Sequence, residues 1–412
     1  MSDKLREVEV FFTVKPNLSL LVGTLAIQRH RLFFEYSPDW LQRNLQLSPF
    51  HLPLKSGLFE HKQREFGPLF GLFDDSLPDG WGLMLMDRHF RKAGIEPASL
   101  TPLDRLQFLG KRTMGALTYR PPAVVDYLGD KYFDLDKLAS NSRKIIAGKD
   151  VEILPSLLRA GGSPGGARPK ILVGFNPVNE TLISGEDDLS SGFEHWIIKF
   201  SAKNDALDAG LIEYSYALMA TAAGLKMPAI RLFKTRQGDA FFGVKRFDRD
   251  SGNRRYHIHT FSNLIQTNFR IPACDYGDLF KVVSILTRNH ADLLQAFRLM
   301  VFNVLSHNRD DHGKNFSFRL DDTRGQWVLS PAYDLTFSYG PGGEHSTTVA
   351  GEGLAPAMAH FVKLAEACGI SAKEVKEITD EVGDAIKQWS EFAEKTGVAR
   401  SKIKHIAAYL AG

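Results

Sequence analysis

A chain of 412 residues is too long for one ordinary hydrophobic core, so two or three packed units are expected. Its hydrophobic share of 43% is near the globular average, no run approaches the roughly 18 apolar residues of a membrane span, and a net charge of +3 is too small for bulk nucleic-acid binding without a concentrated basic stripe. Its two cysteines, Cys274 and Cys368, lie too far apart in sequence to suggest a disulfide framework or a cysteine-rich zinc site.

The chain opens MSDKLREVEVFF, with charges where a signal peptide carries its apolar run, so a cytoplasmic location is expected. Val8 to Phe12 and Arg31 to Tyr36 predict strands of a small sheet-rich unit. Asp74 to Gly80 combines acidic, Pro and Gly residues and gives way to Trp81 to Met86, which predicts a loop and then a helix. This first unit, 1–130, is followed by a mixed part, 131–260. Lys170 to Phe175, Trp196 to Phe200 and Phe241 to Val244 are apolar runs of buried-strand length. From Leu211 the period changes: Leu211, Ser215, Leu218 and Ala222 fall on one helical face, Glu213 on another, and Gly224 supplies a stop. The last part, 261–412, reads as mainly helical. Leu293, Leu294, Phe297, Met300, Val301, Val304 and Leu305 form its most regular amphipathic stripe, and Ser371 with Glu374 forms a capping box. No internal repeat is visible. A sheet-rich part followed by a helical lobe is an α+β order that fits a two-lobed protein-kinase-like fold.

Catalytic residue types are densest directly after the amphipathic stripe, from His307 to Phe316. Phosphoryl transfer needs a carboxylate near the acceptor hydroxyl and a carboxamide oxygen one short loop away to hold a metal, and Asp310 and Asn315 have that spacing. An Asp and an Asn that cap helices would give the same letters. Lys314 could neutralise charge on the transferring group. Asp334 sits in apolar Leu329 to Leu335, where a carboxylate requires a metal or a base beside it, unless it caps the next turn. Lys199 in an apolar strand likewise needs a counter-charge, with Glu213 the candidate, or must reach water along its stem. Gly161, Gly162, Gly165 and Gly166 precede a predicted strand. They would allow backbone N–H groups to approach phosphate, or would simply form a flexible turn, and the segment is neither G-x-G-x-x-G nor Walker A. His257 and His259 alternate on a probable strand without a third ligand and read as ordinary strand histidines. No G-x-S-x-G elbow is present to support a hydrolase.

Taken in order, Ser163 to Lys170, Trp196 to Phe200, Val244 to Arg249, Asp310 to Asn315 and Tyr333 to Leu335 resemble the HipA family of toxin kinases. Phe73 to Gly80 and Met114 to Leu117 extend the resemblance to the first unit. It implies an Mg²⁺- and ATP-dependent serine/threonine kinase, with Asp310 as base and Asn315 and Asp334 holding Mg²⁺. By the same resemblance Lys199 contacts the phosphates, and the loop of Gly165, Gly166, Ala167, Arg168, Pro169 and Lys170 covers the nucleotide. Lys245, Arg246 and Phe247 form the hinge to adenine, and His312 and Lys314 line the cleft. Ser163 takes the position of the autophosphorylated serine that shuts the kinase down. Implied partners are a HipB-like helix-turn-helix antitoxin, operator DNA mainly through that antitoxin, and a protein substrate such as an aminoacyl-tRNA synthetase. Two other classes fit the same residues: a catalytically weak regulator bound to antitoxin and DNA, and a small-molecule phosphotransferase.

Overall fold

The computed structural model describes residues 5–63, 65–122, 132–147, 157, 165, 166, 168–185, 188–201 and 208–410. The first unit is built on an antiparallel sheet of β1 (Arg6–Lys15), β2 (Leu18–Gln28), β3 (Arg31–Tyr36), β4 (Leu58–Glu60) and β5 (Leu117–Arg120), ordered β4-β3-β2-β1-β5. Alternation drives β1: Val8, Val10 and Phe12 are buried, while Glu7 and Glu9 face water.

A second antiparallel sheet, ordered β7-β6-β8-β10-β9, contains β6 (Lys170–Phe175), β7 (Leu182–Ser184), β8 (Glu194–Lys199), β9 (Ile230–Lys234) and β10 (Ala240–Lys245). The helix Ala209–Ala222 packs on it, and here the predicted face needs correction. Ala222 is exposed, whereas Ile212, Glu213, Tyr216, Met219 and Ala220 are buried. The helix lies between β10 on one side and the helices Ala372–Lys387 and Trp389–Thr396 on the other, and a helix enclosed on both sides is apolar nearly all round. Burial therefore extends beyond the stripe of Leu211, Ser215 and Leu218, which is itself buried or half-buried, and only its end at Ala222 is exposed.

The C-terminal part is mainly helical, as expected, but its β13 (Ser317–Asp321) and β14 (Gln326–Leu329) form a sheet with β11 (His257–Thr260), the last strand of the middle part. A short parallel pair, β12 (Cys274–Asp275) with β15 (Thr347–Thr348), lies beside it. The amphipathic stripe forms the helix His290–Leu305, capped by Asn289, whose side chain accepts from the Ala291 N–H at 3.0 Å. The Ser371–Glu374 capping box is formed in both directions. Among the described residues no helix is long and apolar enough to cross a membrane.

The first unit packs against both of the other parts. One core cluster runs from Phe12, Phe34 and Phe73 of the first unit to Phe261, Phe297 and Trp389 of the C-terminal part. Gly71 is required there, because a Cβ at that position would stand 1.8 Å from the Asn263 carbonyl oxygen. A second cluster joins Ile171, Phe175, Trp196, Ile198 and Phe233 of the middle sheet to Trp81 and Leu85, which belong to the helix Gly80–Lys92. Burial of this order, at roughly 25 cal/mol per Å² of apolar surface, makes the first unit structural to both lobes.

Candidate active site

The site begins with strand register. Lys170 on β6 stands directly opposite Lys199 on β8, and two like charges facing each other across a sheet require anions nearby. Glu213 and Asp334 supply them. The Lys199 ammonium donates to both carboxylates, with its own side chain 11% accessible and that of Glu213 4%. Burial alone would lower the pKa of Lys199, but Asp334 and Glu213 reverse the effect and raise it. Burial lowers Lys170, partly offset by Asp334 and aggravated by Lys199. Glu213 is raised by burial despite Lys199, whereas Asp334, which burial would also raise, is held well below the carboxylate range by Lys199 and Lys170.

The expected catalytic segment follows the helix His290–Leu305. Asn315 ends a 3-10 turn, Gly313–Asn315, and its amide nitrogen donates to the Asp310 carbonyl at 2.7 Å. Its Oδ1 is therefore directed away from that bond. The Asp310 carboxylate is solvent-exposed and accepts no hydrogen bond among the described residues. The surrounding protein still displaces enough water to raise its pKa, with His312 opposing the rise and Asp334 adding to it. Asp310, His312 and Asp334 thus act on one another electrostatically. The Nδ1 atom of His312 is buried with no hydrogen-bond partner among the described residues. Asp334 has φ +60°, a left-handed conformation uncommon outside Gly, Asn and Asp, and lies in a loop beyond β14.

Other expected site residues are distributed less simply. Gly166 donates its N–H to Asp79, and its carbonyl accepts from the Trp81 N–H at 3.1 Å. Arg168 reaches Glu213 at 3.9 Å, the Pro169 carbonyl accepts from Phe200 at 2.8 Å, and Lys170 donates to the Gly165 carbonyl. Ser163 and Ala167 lie outside the described residues. Lys314 does not point freely at a transferring group, since its ammonium lies 3.4 Å from Asp74 and 3.8 Å from Asp79 and sits over the Phe269 ring. Lys245 pairs with Glu194 at 2.7 Å. Arg246 is buried in an ion pair with Asp248, which also binds Arg249. Neither side chain enters the lysine cluster, and Phe247 packs against Tyr333 with ring centroids 5.7 Å apart. His257 and His259 take structural roles: His259 bonds Asp75 at 2.6 Å and Ser48 at 3.1 Å, and burial lowers the pKa of His257 to about 3.

Several contributors lie in segments that the sequence singled out, but were given no role of their own there. Asp311, directly after Asp310, is buried and accepts from Tyr276 at 2.8 Å, His345 at 2.9 Å and the Ser346 N–H at 2.8 Å. Asp75 accepts from His259, from Thr260 and, at 2.8 Å, from Asn263, so the acidic loop of the first unit is a docking device. Gly115 donates to Asp248 at 2.8 Å and performs the same docking from the other side. The density of Asp in both segments was the available clue.

A model of the HipA-like C-terminal domain matches residues 162–390, and a model of the HipA N-terminal domain matches residues 18–120. The chain belongs to the HipA family. Among solved structures, HipA of Shewanella oneidensis, determined with HipB and operator DNA, superposes with a TM-score of 0.71 at 16% identity, covering 98% of this chain and 95% of that one. The family fold, with its two kinase-like lobes and its N-terminal domain, is therefore shared. Two Sinorhizobium fredii proteins that carry kinase names are similar in sequence: Y4mE is 25% identical over 95% of each chain, and Y4dM 30% identical over 34% of this chain and 36% of its own. Seen as HipA-family segments, the matched C-terminal domain contains every residue of the lysine–carboxylate cluster, and the N-terminal domain supplies Asp74 and Asp79.

Proposed function

We propose that this HipA-family chain is an Mg-ATP-dependent kinase that phosphorylates a serine or threonine hydroxyl of a protein and acts as the toxin of a toxin–antitoxin pair. The observation that carries the reading is Lys199 bridging Glu213 and Asp334 beside Asp310 and Asn315, a lysine–carboxylate arrangement suited to a nucleotide's phosphates. Asn315 Oδ1 and the Asp334 carboxylate are hard oxygen donors of the kind Mg²⁺ takes, and the ion would supply charge neutralisation on the phosphoryl group. The unpartnered His312 Nδ1 and the ammonium groups of Lys170 and Lys199 fit phosphate oxygens. Asp310 accepts the proton of the acceptor hydroxyl. The hydroxyl oxygen then forms a bond to the γ-phosphorus as the bond to the β-bridging oxygen breaks, leaving ADP. Association with a HipB-like antitoxin on operator DNA is proposed from the likeness to the Shewanella complex.

Incubation with radiolabelled ATP tests the proposal. Wild type should label itself or an acceptor protein, and Asp310→Asn and Asp334→Asn should fold normally and label neither. Asn tolerates the φ of position 334, so loss there reports lost charge rather than a strained turn. Activity within threefold of wild type in both variants would remove the assignment.

A further inference from the structure

The residues on either side of Asp310 hold the segment that follows Asp334, although the Arg309 Nε is buried with no hydrogen-bond partner among the described residues. The Arg309 guanidinium donates to the carbonyls of Gly343 and, at 2.9 Å, Leu354. The Arg309 N–H reaches the Ser338 carbonyl at 3.4 Å, and the Arg309 carbonyl accepts from the Ser346 N–H at 3.1 Å. Asp311 accepts from His345 and from the Ser346 N–H, and its carbonyl accepts from the Thr347 hydroxyl at 2.6 Å. Gly340 closes the seam with φ +72°: a Cβ there would lie 1.9 Å from the Glu344 carbonyl oxygen and 2.6 Å from the Arg309 Cβ.

Kinases commonly order the segment after the metal-binding Asp by placing a phosphorylated hydroxyl on an arginine. Here both terminal nitrogens of Arg309 are already occupied by main-chain carbonyls. The hydroxyls of the segment are occupied as well. Ser338 accepts from the Gly340 N–H at 3.2 Å, Tyr339 bonds His405 at 2.5 Å, and Ser346 donates to the Arg309 carbonyl at 3.0 Å. Thr347 donates to the Asp311 carbonyl, and Thr348 to Asp275 at 2.7 Å. A phosphoryl group on any of them would displace a bond that already holds the segment.

We propose that Arg309 is a positioning residue for phosphotransfer: it pins segment 338–354 beside Asp310 through main-chain carbonyls, so that the acceptor side of the site is built without phosphorylation of that segment. This rests on the kinase reading above. A bidentate fork is needed to reach two carbonyls at once, which a lysine's single ammonium cannot reproduce in the same geometry. Arg309→Lys keeps the charge and loses the fork. Gly340→Ala keeps the Arg309 fork and disturbs the same seam from the other side, by forcing a Cβ against the Glu344 carbonyl and the Arg309 stem.

The test uses the full chain with Mg-ATP and dephosphorylated casein as a generic acceptor. Both variants should slow phosphate transfer at least 30-fold, bind a non-hydrolysable ATP analogue within threefold of wild type, and gain amide hydrogen exchange confined to 338–354. Wild type treated with a protein phosphatase and then repurified should lose none of its initial rate, and any gain reports phosphate removed from Ser163 rather than from 338–354. The inference is overturned by a wild-type rate in Arg309→Lys, by an equal loss of nucleotide affinity in both variants, or by a wild type that needs phosphate on Ser338, Tyr339, Ser346, Thr347 or Thr348. A wild type that transfers no phosphate under any condition removes the kinase reading, and the inference with it.

Discussion

Replacing Lys199 by Met leaves Glu213 as a buried carboxyl with no hydrogen-bonded cation, its remaining positive neighbours being Arg168 at 3.9 Å and Lys170 across the sheet. The variant has two options, and each has a calculable cost. It can keep an uncompensated buried charge, at about 3–5 kcal/mol. Alternatively it can hold Glu213 protonated. Against the ordinary value of 4.5, protonation costs about 1.4 kcal/mol at pH 5.5 and about 4 kcal/mol at pH 7.5, at about 1.36 kcal/mol per pH unit. Arg168 reduces both figures somewhat. The folded pKa of Glu213 is raised, so its contribution is present below 4.5 and is lost as pH rises, and the variant extends that loss to higher pH. Urea unfolding should therefore show Lys199→Met less stable than wild type by about 2–4 kcal/mol at pH 7.5 and by roughly 1.5 kcal/mol at most at pH 5.5. Adding Glu213→Gln should restore most of the loss at pH 7.5 without restoring phosphotransfer. A penalty below about 1 kcal/mol at pH 7.5, equal penalties at the two pH values, or no rescue by Glu213→Gln would refute the account of the pair.

Phosphotransfer should fall on acidification with a limb above 3.8, because Asp310 is a base only when ionised and burial raises its pKa; a limb at or below 3.8 in a kcat–pH profile removes it as the base. The same raised pKa means that Asp310 gives up stability as pH rises, so Asp310→Asn should melt no lower than wild type at pH 8. Asp248→Asn leaves the buried guanidinium groups of Arg246 and Arg249 facing each other, and should cost about 3–5 kcal/mol in a denaturation experiment, while a loss under 1 kcal/mol would mean that the cluster relaxes into water. Intact-mass and peptide spectrometry after incubation with Mg-ATP should find phosphate on Ser163, and Ser163→Asp should bind ATP poorly, since a charged loop would compete with the nucleotide's phosphates. Phosphate only at other sites, with normal ATP affinity in Ser163→Asp, counts against that switch alone.

Local chemistry by itself determined much of this protein. Alternation in β1, the stripe from Leu293 to Leu305 and the Ser371–Glu374 capping box are each set by side chains a few residues apart, and each formed as the sequence required. Lys199 and Asp334 stood out because each is a charge in an apolar run that its neighbours cannot satisfy, and Asp310 and Asn315 because of their spacing. The Lys199–Glu213 pair formed as the sequence suggested, but most of the other pairings were decided by tertiary structure alone. Strand register set Lys170 against Lys199, and enclosure on two sides turned the Ala209–Ala222 helix so that Glu213 points inward. Lys314 met Asp74 and Asp79, and Arg309 met the carbonyls of Gly343 and Leu354. These partners are separated by tens to hundreds of residues, and a counter-charge or carbonyl leaves no periodic trace in sequence. It is specified only by the packing of the core that brings the segments together.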